Sequence, residues 1–219
     1  MARFVFFVAI MMSLSACNFN ITPTFYIRDI QDVISDKQDI EIPIFIKLPA
    51  SDVDSCNSEI GQVIGILDTY GIDGTLQSCT ADENNLFATA NVEFTASVVY
   101  SETSQVQNFK GIVGLVVDEA GDGVYYLNLQ ANPNLPKAMS DIEGALIFAT
   151  LDASQVGFII TLNNDTRRTI TFNIHDSFVN GIATDYNTFE LGPRSELEVR
   201  ASDVGANLFF NRGWFGIGD

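Results

Sequence analysis

The chain contains one histidine, one tryptophan and three cysteines among its 219 residues. Each scarcity closes off a chemistry. A zinc centre draws on several His and Cys side chains, and one histidine with two cysteines expected to pair with each other leaves too few ligands. A Ser-His-Asp relay would have to recruit His175 with Asp176, and no Gly-x-Ser-x-Gly elbow presents a serine to them. No phosphate-cradling loop with its lysine is present; Gly121-Asp122-Gly123 reads as a hairpin turn. No Cys-x-x-Cys spacing supports redox work. Basic residues are scarce too: 11 Lys plus Arg stand against 28 Asp plus Glu, for a net charge of −17. Such a surface repels DNA, RNA and anionic head groups, which excludes nucleic acid as a partner. The surplus charge suits solubility and spacing from an anionic envelope; a basic partner or bound divalent cations are the sharper alternative. Asp118, Glu119 and Asp122 fall in one hairpin and are the candidate calcium ligands, but their spacing is not that of an EF-hand, and a solvated turn is the simpler reading. No resident metal or cofactor is expected. Carboxylates are plentiful enough that a glycosidase-like pair is not excluded by counting alone.

Long apolar runs are absent after the first residues. What stands at the start is MARFVFFVAIMMSLSAC: one basic residue, Arg3, an apolar run from Phe4 to Leu14, then Leu14-Ser15-Ala16-Cys17. The run is too short for a membrane span, which takes about 20 apolar residues. The small residues ending in cysteine resemble the lipobox of bacterial lipoproteins. The resemblance implies cleavage before Cys17 and acylation of its thiol, with residues 1–16 a signal peptide and the membrane reached through the lipid anchor. Several acyl chains hold stably where one does not. Asn18, rather than aspartate, after the cysteine implies the outer membrane, with the body facing the periplasm. An ordinary secretory signal is the alternative.

With Cys17 assigned to lipid, Cys56 and Cys79 remain, an even pair in an oxidising compartment. They are expected to form a disulfide. The bridge would close a loop of about two dozen residues, worth roughly 3 kcal/mol on a loop-entropy argument. One buried thiol and one free thiol are the alternative.

A hydrophobic fraction of 47% suffices for a packed core. Asn18 to Thr24 reads as a polar tether. Phe25-Tyr26-Ile27 opens a strand, and one helical turn follows over Asp29 to Ile34. From Asp39 to Leu48 the isoleucines at 40, 42, 44 and 46 and Leu48 fall on one face of a strand. Pro43 cannot donate to a ladder, so that strand is expected at an edge or beside an open stretch. Ser51 is the expected N-cap of a helix whose stripe is Val53, Cys56, Ile60, Val63, Ile64 and Leu67, ending at Gly71. Gly61 and Gly65 are expected to let that helix approach a sheet closely. Cys79 sits on a strand over Thr75 to Thr80. A long alternating strand follows, from Leu86 to Val98, with antiparallel patterning.

Ile112 to Val117 and Val124 to Leu129 make a hairpin. Ser140 and Glu143 fit a capping box for a short helix. Beyond about residue 150 the pattern is all-β: alternation over Val156 to Leu162 and Ile170 to Ile174, an Asn180-Gly181 turn, Phe189 and Leu191, a Gly192-Pro193 turn, then Leu197 and Val199. His175 falls opposite Ile170, Phe172 and Ile174. Ser202 is read as capping one helical turn, and a strand-like tail carries Trp214. The fold class is α+β: an N-terminal antiparallel sheet with one packed helix over 17–150, then a small β-sandwich-like part over 151–219. This layout resembles uncharacterised lipoproteins of enterobacterial genomes and their prophages, a resemblance that carries no catalytic residue.

Two classes of function fit. One is a non-catalytic binding or scaffold module of the cell envelope with an envelope protein as partner, of which a prophage lipoprotein masking an outer-membrane receptor is a specialised form. The other is a lipid-anchored envelope hydrolase. The aromatic tail at Trp214 and Phe215 is the candidate partner surface.

Overall fold

The structure, a computed structural model, describes residues 19–81, 88–102, 108–121, 124–145, 156–202 and 214–218. Within them the chain forms β1 (Phe19–Ile21), β2 (Thr24–Tyr26), α1 (Ile27–Asp36), β3 (Ile40–Ala50), α2 (Val53–Thr69), β4 (Gly74–Ala81), β5 (Ala88–Ser101), β6 (Val113–Gly121), β7 (Val124–Ala131), α3 (Leu135–Ala145), β8 (Val156–Asn163), β9 (Ile170–Val179), β10 (Ile182–Leu191), β11 (Glu196–Ala201) and β12 (Trp214–Gly218). The fold is α+β and mostly β. The strands run in the order β10-β9-β11-β8-β1-β3-β5-β6-β7-β12, with β2 added to β8 and β4 to β5.

β3 and β5 form the long antiparallel spine, paired from Ile40↔Val98 to Ala50↔Ala88. Their alternation has a direct cause: Ile44 and Ile46 of β3 and Ala90, Val92 and Phe94 of β5 are buried on the face that the helices cover. The second edge of β5 is shared. β4 takes it antiparallel between Ala88 and Phe94, and β6 takes it parallel between Ala96 and Ser101. Beyond Ala96 the alternation is lost, and Ser97, Val98 and Val99 are buried in succession. The N-terminal sheet is therefore mixed rather than purely antiparallel. Side-chain periodicity does not distinguish the two pairings, because both put alternate residues on alternate faces.

The chain enters β6 over Gly111, whose φ is +90°; a Cβ there would lie 2.1 Å from the carbonyl oxygen of Thr95. Only glycine fits such an approach. Asn132, buried after β7, donates from Nδ2 to the Gly111 carbonyl at 2.8 Å and accepts the Asn134 amide on Oδ1 at 3.0 Å. It thus ties the entry to β6 to the start of α3. That helix begins at Leu135, ahead of the expected Ser140 cap, with Pro136 inside its first turn where no intrahelical donor is needed.

α2 starts one residue later than expected. Asp52 is its N-cap, accepting the Ser55 amide at 2.8 Å, while Ser51 donates from its amide and hydroxyl to Glu59 at 2.9 and 2.6 Å. Its end is a Schellman turn: Ile72 N–H reaches Leu67 O at 3.1 Å and Gly71 N–H reaches Asp68 O at 2.9 Å, with Gly71 at φ +73°. Leu67 and Ile72 are both buried beneath it. Gly61 and Gly65 do not mediate a close approach; both are exposed, and a Cβ on either meets nothing within 4 Å.

The expected tether over Asn18 to Thr24 is instead strand from Phe19. β1 pairs in parallel with β8, Phe19↔Val156 to Ile21↔Phe158, and antiparallel with β3 at Ile21↔Ile46. β2 continues along β8 from Thr24↔Thr161 to Tyr26↔Asn163. α1 then runs ten residues, longer than the single turn its sequence suggests, with Ile27, Ile30 and Val33 buried. The expected division between 17–150 and 151–219 falls within 146–155, outside the described residues. Main-chain pairing crosses that division twice, β1 and β2 to β8 and β7 to β12.

Among the described residues the C-terminal part is all-β. β9 and β10 form a hairpin about Asn180-Gly181, both at positive φ, in unbroken register from Ile182↔Val179 to Leu191↔Ile170. β11 pairs with β8 along Glu196–Arg200 and with the end of β9. β9 bends where Asp176 takes φ +50°. Phe172 and Ile174 are buried before the bend, Ser177 and Val179 after it, so the core-facing side of the strand changes there.

Candidate interaction surface

The covalent staple is in place. Cys56, fully buried on α2, is disulfide-bonded to Cys79 on β4, with Cα atoms 6.3 Å apart and a sequence separation of 23. The helix stripe turns Cys56 inward, and pairing with β5 holds the strand that carries Cys79. The bridge fastens the helix to the strand it covers.

The loops contribute a second hub, not legible as such in the sequence. Asn164 follows β8 and is fully buried. Its Nδ2 donates to the carbonyls of Arg168 and Leu191 at 2.8 Å and of Gly192 at 3.0 Å, and its Oδ1 accepts from the amide and hydroxyl of Thr166 at 3.1 and 2.6 Å. Its backbone donates to Ser195 O and accepts from Arg194 N. One side chain therefore closes both the β8–β9 and the β10–β11 connections. Asn163-Asn164-Asp165 has turn composition, but three adjacent polar residues do not reveal which of them is enclosed.

Among the described residues no group of three or more His, Cys, Asp or Glu side chains is arranged to hold a metal ion. The side chains of Asp118, Glu119 and Asp122, the candidate calcium ligands, lie outside the described residues, as does the His175 side chain. The His175 backbone pairs with Tyr186. Cys17 and the expected helical turn after Ser202 lie outside the described residues as well. Trp214 and Phe215 are placed by their backbone on β12, paired with Gln130 and Leu129 of β7; their side chains are not described.

The electrostatics are those of a solvated acidic surface with local ties. Burial, reinforced by the charges of Asp165 and Asp32, raises the Asp29 carboxyl above its usual range against the lowering effect of Arg28. The hydrogen bond to Glu102, at 2.9 Å, raises the Lys37 ammonium, which also lies 5.0 Å from the centre of the Tyr100 ring. Tyr70 donates to Asp141 of α3, and that bond raises its phenol.

The two most exposed large apolar side chains among the described residues lie on the β9–β10 hairpin. Ile182 is 72% exposed and Tyr186 63%, on the same face of β10, opposite the one carrying Phe189 and Leu191. Phe178 of β9, paired with Ala183 and so on the other face of the hairpin, is also exposed, with the Arg200 guanidinium 6.0 Å from its ring centre. β10 ends the strand order, so among the described residues its outer edge carries no partner strand. An open edge flanked by aromatic and branched side chains is a surface another chain can pair with. Alternation points Ile182 and Tyr186 away from Phe189 and Leu191, a signal present in the sequence but overshadowed by the aromatic tail. The open stretch expected at Pro43 is also present. Among the described residues β3 is met on that side by β1 only at Ile46, and Pro43 lies beyond that contact.

A family model described as Domain of unknown function (DUF7424) matches residues 19–218. No curated protein and no solved structure matches the chain.

Proposed function

The chain belongs to the DUF7424 family, and from that premise we propose that it is a lipid-anchored lipoprotein of the cell envelope. It is held in the outer membrane through Cys17, faces the periplasm, and acts as a non-catalytic binding or scaffold module for an envelope protein. The observation that carries the reading is Leu14-Ser15-Ala16-Cys17 after a short apolar run, two residues ahead of Phe19, where β1 and the family match both begin. The Cys56–Cys79 bridge supports it, since disulfides persist in exported proteins. Among the described residues no helix is long and apolar enough to cross a membrane. A receptor-masking prophage lipoprotein is the specialised form of the same reading.

The partner surface is assigned to the open edge of β10 with Ile182 and Tyr186, and the tail at Trp214 and Phe215 is the second candidate. General acid–base work near neutral pH most often uses histidine, and His175 is alone in the chain. The anchor is tested by Cys17→Ser, which releases the protein from membranes; retention after a high-salt wash overturns it. The binding role is tested by His175→Ala, which leaves the phenotype of the gene intact, whereas Ile182→Asp with Tyr186→Asp abolishes it in a folded protein. Loss of function in a folded His175→Ala variant revives the hydrolase.

A further inference from the structure

We propose that the body stands on the bilayer by one end of its sheet, with the surface around Lys47 and Val53 at headgroup level and the turn at Gln38 directed away. This rests on the reading that Cys17 carries the lipid. The membrane itself is the occupant, and the length of chain between anchor and fold identifies the end that meets it. β1 begins at Phe19, two residues after Cys17. An extended residue spans at most about 3.6 Å, so the first paired residue lies within roughly 7 Å of the acylated one.

That short leash cannot be let out cheaply. Phe19, Asn20 and Ile21 are each paired with β8, Ile21 is also paired with Ile46 of β3, and its side chain is 1% exposed. Freeing more tether means removing a strand from between two others.

The register then states which surface is near. β3 runs antiparallel to β1, so from Ile21↔Ile46 the residues after Ile46 lie beside and beyond the start of β1. Lys47 comes next and is exposed; the chain then passes Ala50 into α2, where Val53 is 41% exposed. β4 ends and β5 begins at the same level, with Ala81 and Ala50 both paired to Ala88. In the other direction β3 leads away. Its eleven residues at about 3.3 Å each separate the two ends by roughly 35 Å.

Charge does not create this contact. Lys47 supplies a cation, but Asp52 and Asp54 flank it, and the chain as a whole carries −17. Anionic lipid repels such a surface over about a Debye length, which also resists the body lying flat. The lipid holds one end down and the charge keeps the rest off.

The test uses the full lipidated protein in phosphatidylcholine vesicles containing nitroxide-headgroup lipid. Lys47→Cys and Gln38→Cys are made separately and labelled with a fluorophore; both sites are exposed, and with Cys56 and Cys79 bridged and Cys17 acylated the introduced thiol is the one that reacts. The expected result is quenching several-fold stronger at Lys47 than at Gln38. A flexible glycine–serine linker of about ten residues inserted after Asn18 should erase that difference while the protein still floats with the vesicles. Equal quenching at the two sites in the unextended protein overturns the orientation and leaves the anchor standing. Failure of the unmodified protein to float overturns the anchor, and the orientation with it.

Discussion

Asp165 caps helix α1 from the far half of the chain. The Arg28 amide, in the first turn of the helix, donates to Asp165 Oδ1 at 3.0 Å across 137 residues of sequence, and the Arg28 guanidinium reaches the same residue. The residue before the helix, Tyr26, offers no side-chain cap of its own. Asp165→Ala should therefore cost about 1 kcal/mol, the usual effect of losing a cap. Asp165→Asn should recover most of it. Urea midpoints with an unchanged slope check both, and an Asp165→Ala midpoint equal to the parent's would show that the contact does not cap.

The Cys56–Cys79 bridge constrains the unfolded chain over a 23-residue separation, which is worth roughly 3 kcal/mol. Thiol titration of denatured, unreduced Cys17→Ser protein should find no free thiol, and both thiols should appear after reduction. The Cys56→Ala, Cys79→Ala double variant should lower the urea midpoint by a corresponding amount.

Asn164→Ala removes the donor shared by three carbonyls. A buried polar group left unpaired costs about 1–3 kcal/mol, and water entering the space would satisfy some of them, so a loss of about 3 kcal/mol is expected. Protection of the amides flanking Gly192 in hydrogen exchange should fall along with the midpoint. A loss well under 1 kcal/mol would mean that the two connections hold without the hub.

Gly61→Ala and Gly65→Ala should each stabilise the protein by about 0.5–1 kcal/mol. Both lie on the solvent face of α2 with room for a methyl group, and alanine is the better helix former. Destabilisation by either would point to a partner packed on that face.

Asp52 sets a pH dependence. The hydrogen bond from the Ser55 amide holds its carboxyl below the usual range. A lowered pKa in the folded state contributes stability that is present above the unfolded value and is lost as pH falls through the folded one. Asp52→Asn keeps a capping side chain but cannot titrate. The stability advantage of the parent over this variant should be present at neutral pH and shrink below about pH 4. A difference independent of pH would assign the effect to shape alone.

Several elements are legible from residue order because their cause is local. The isoleucines of β3 and the alternation of β5 follow from a period of two, and the stripe of α2 from a period near 3.6. Cys56 and Cys79 are the pair left once Cys17 is set aside, and Asn180-Gly181 turns where φ must be positive. Ser51 against Asp52 shows the limit of such reading: two adjacent capping residues look alike until Glu59 takes one of them. Gly61 and Gly65 show a related limit, because a small residue does not declare which face of the helix it occupies.

The choice of partner strand belongs to the tertiary structure. A backbone amide carries no residue code, so nothing in Phe19-Asn20-Ile21 announces that it will pair in parallel with Val156-Gly157-Phe158, and nothing in β6 announces a parallel seat on β5. Those pairings are settled by which buried faces can be brought together, at a loop-closure cost that grows only slowly with the intervening length. The sequence by itself determined the strand faces, the main helix and the pair of cysteines that would be joined. The tertiary structure decided that β1 is seated between β8 and β3, that Asp165 caps α1, and that among the described residues β10 ends the strand order with Ile182 and Tyr186 in solvent. Periodicity acts between neighbours in the chain, whereas these relationships exist only once distant segments share one core.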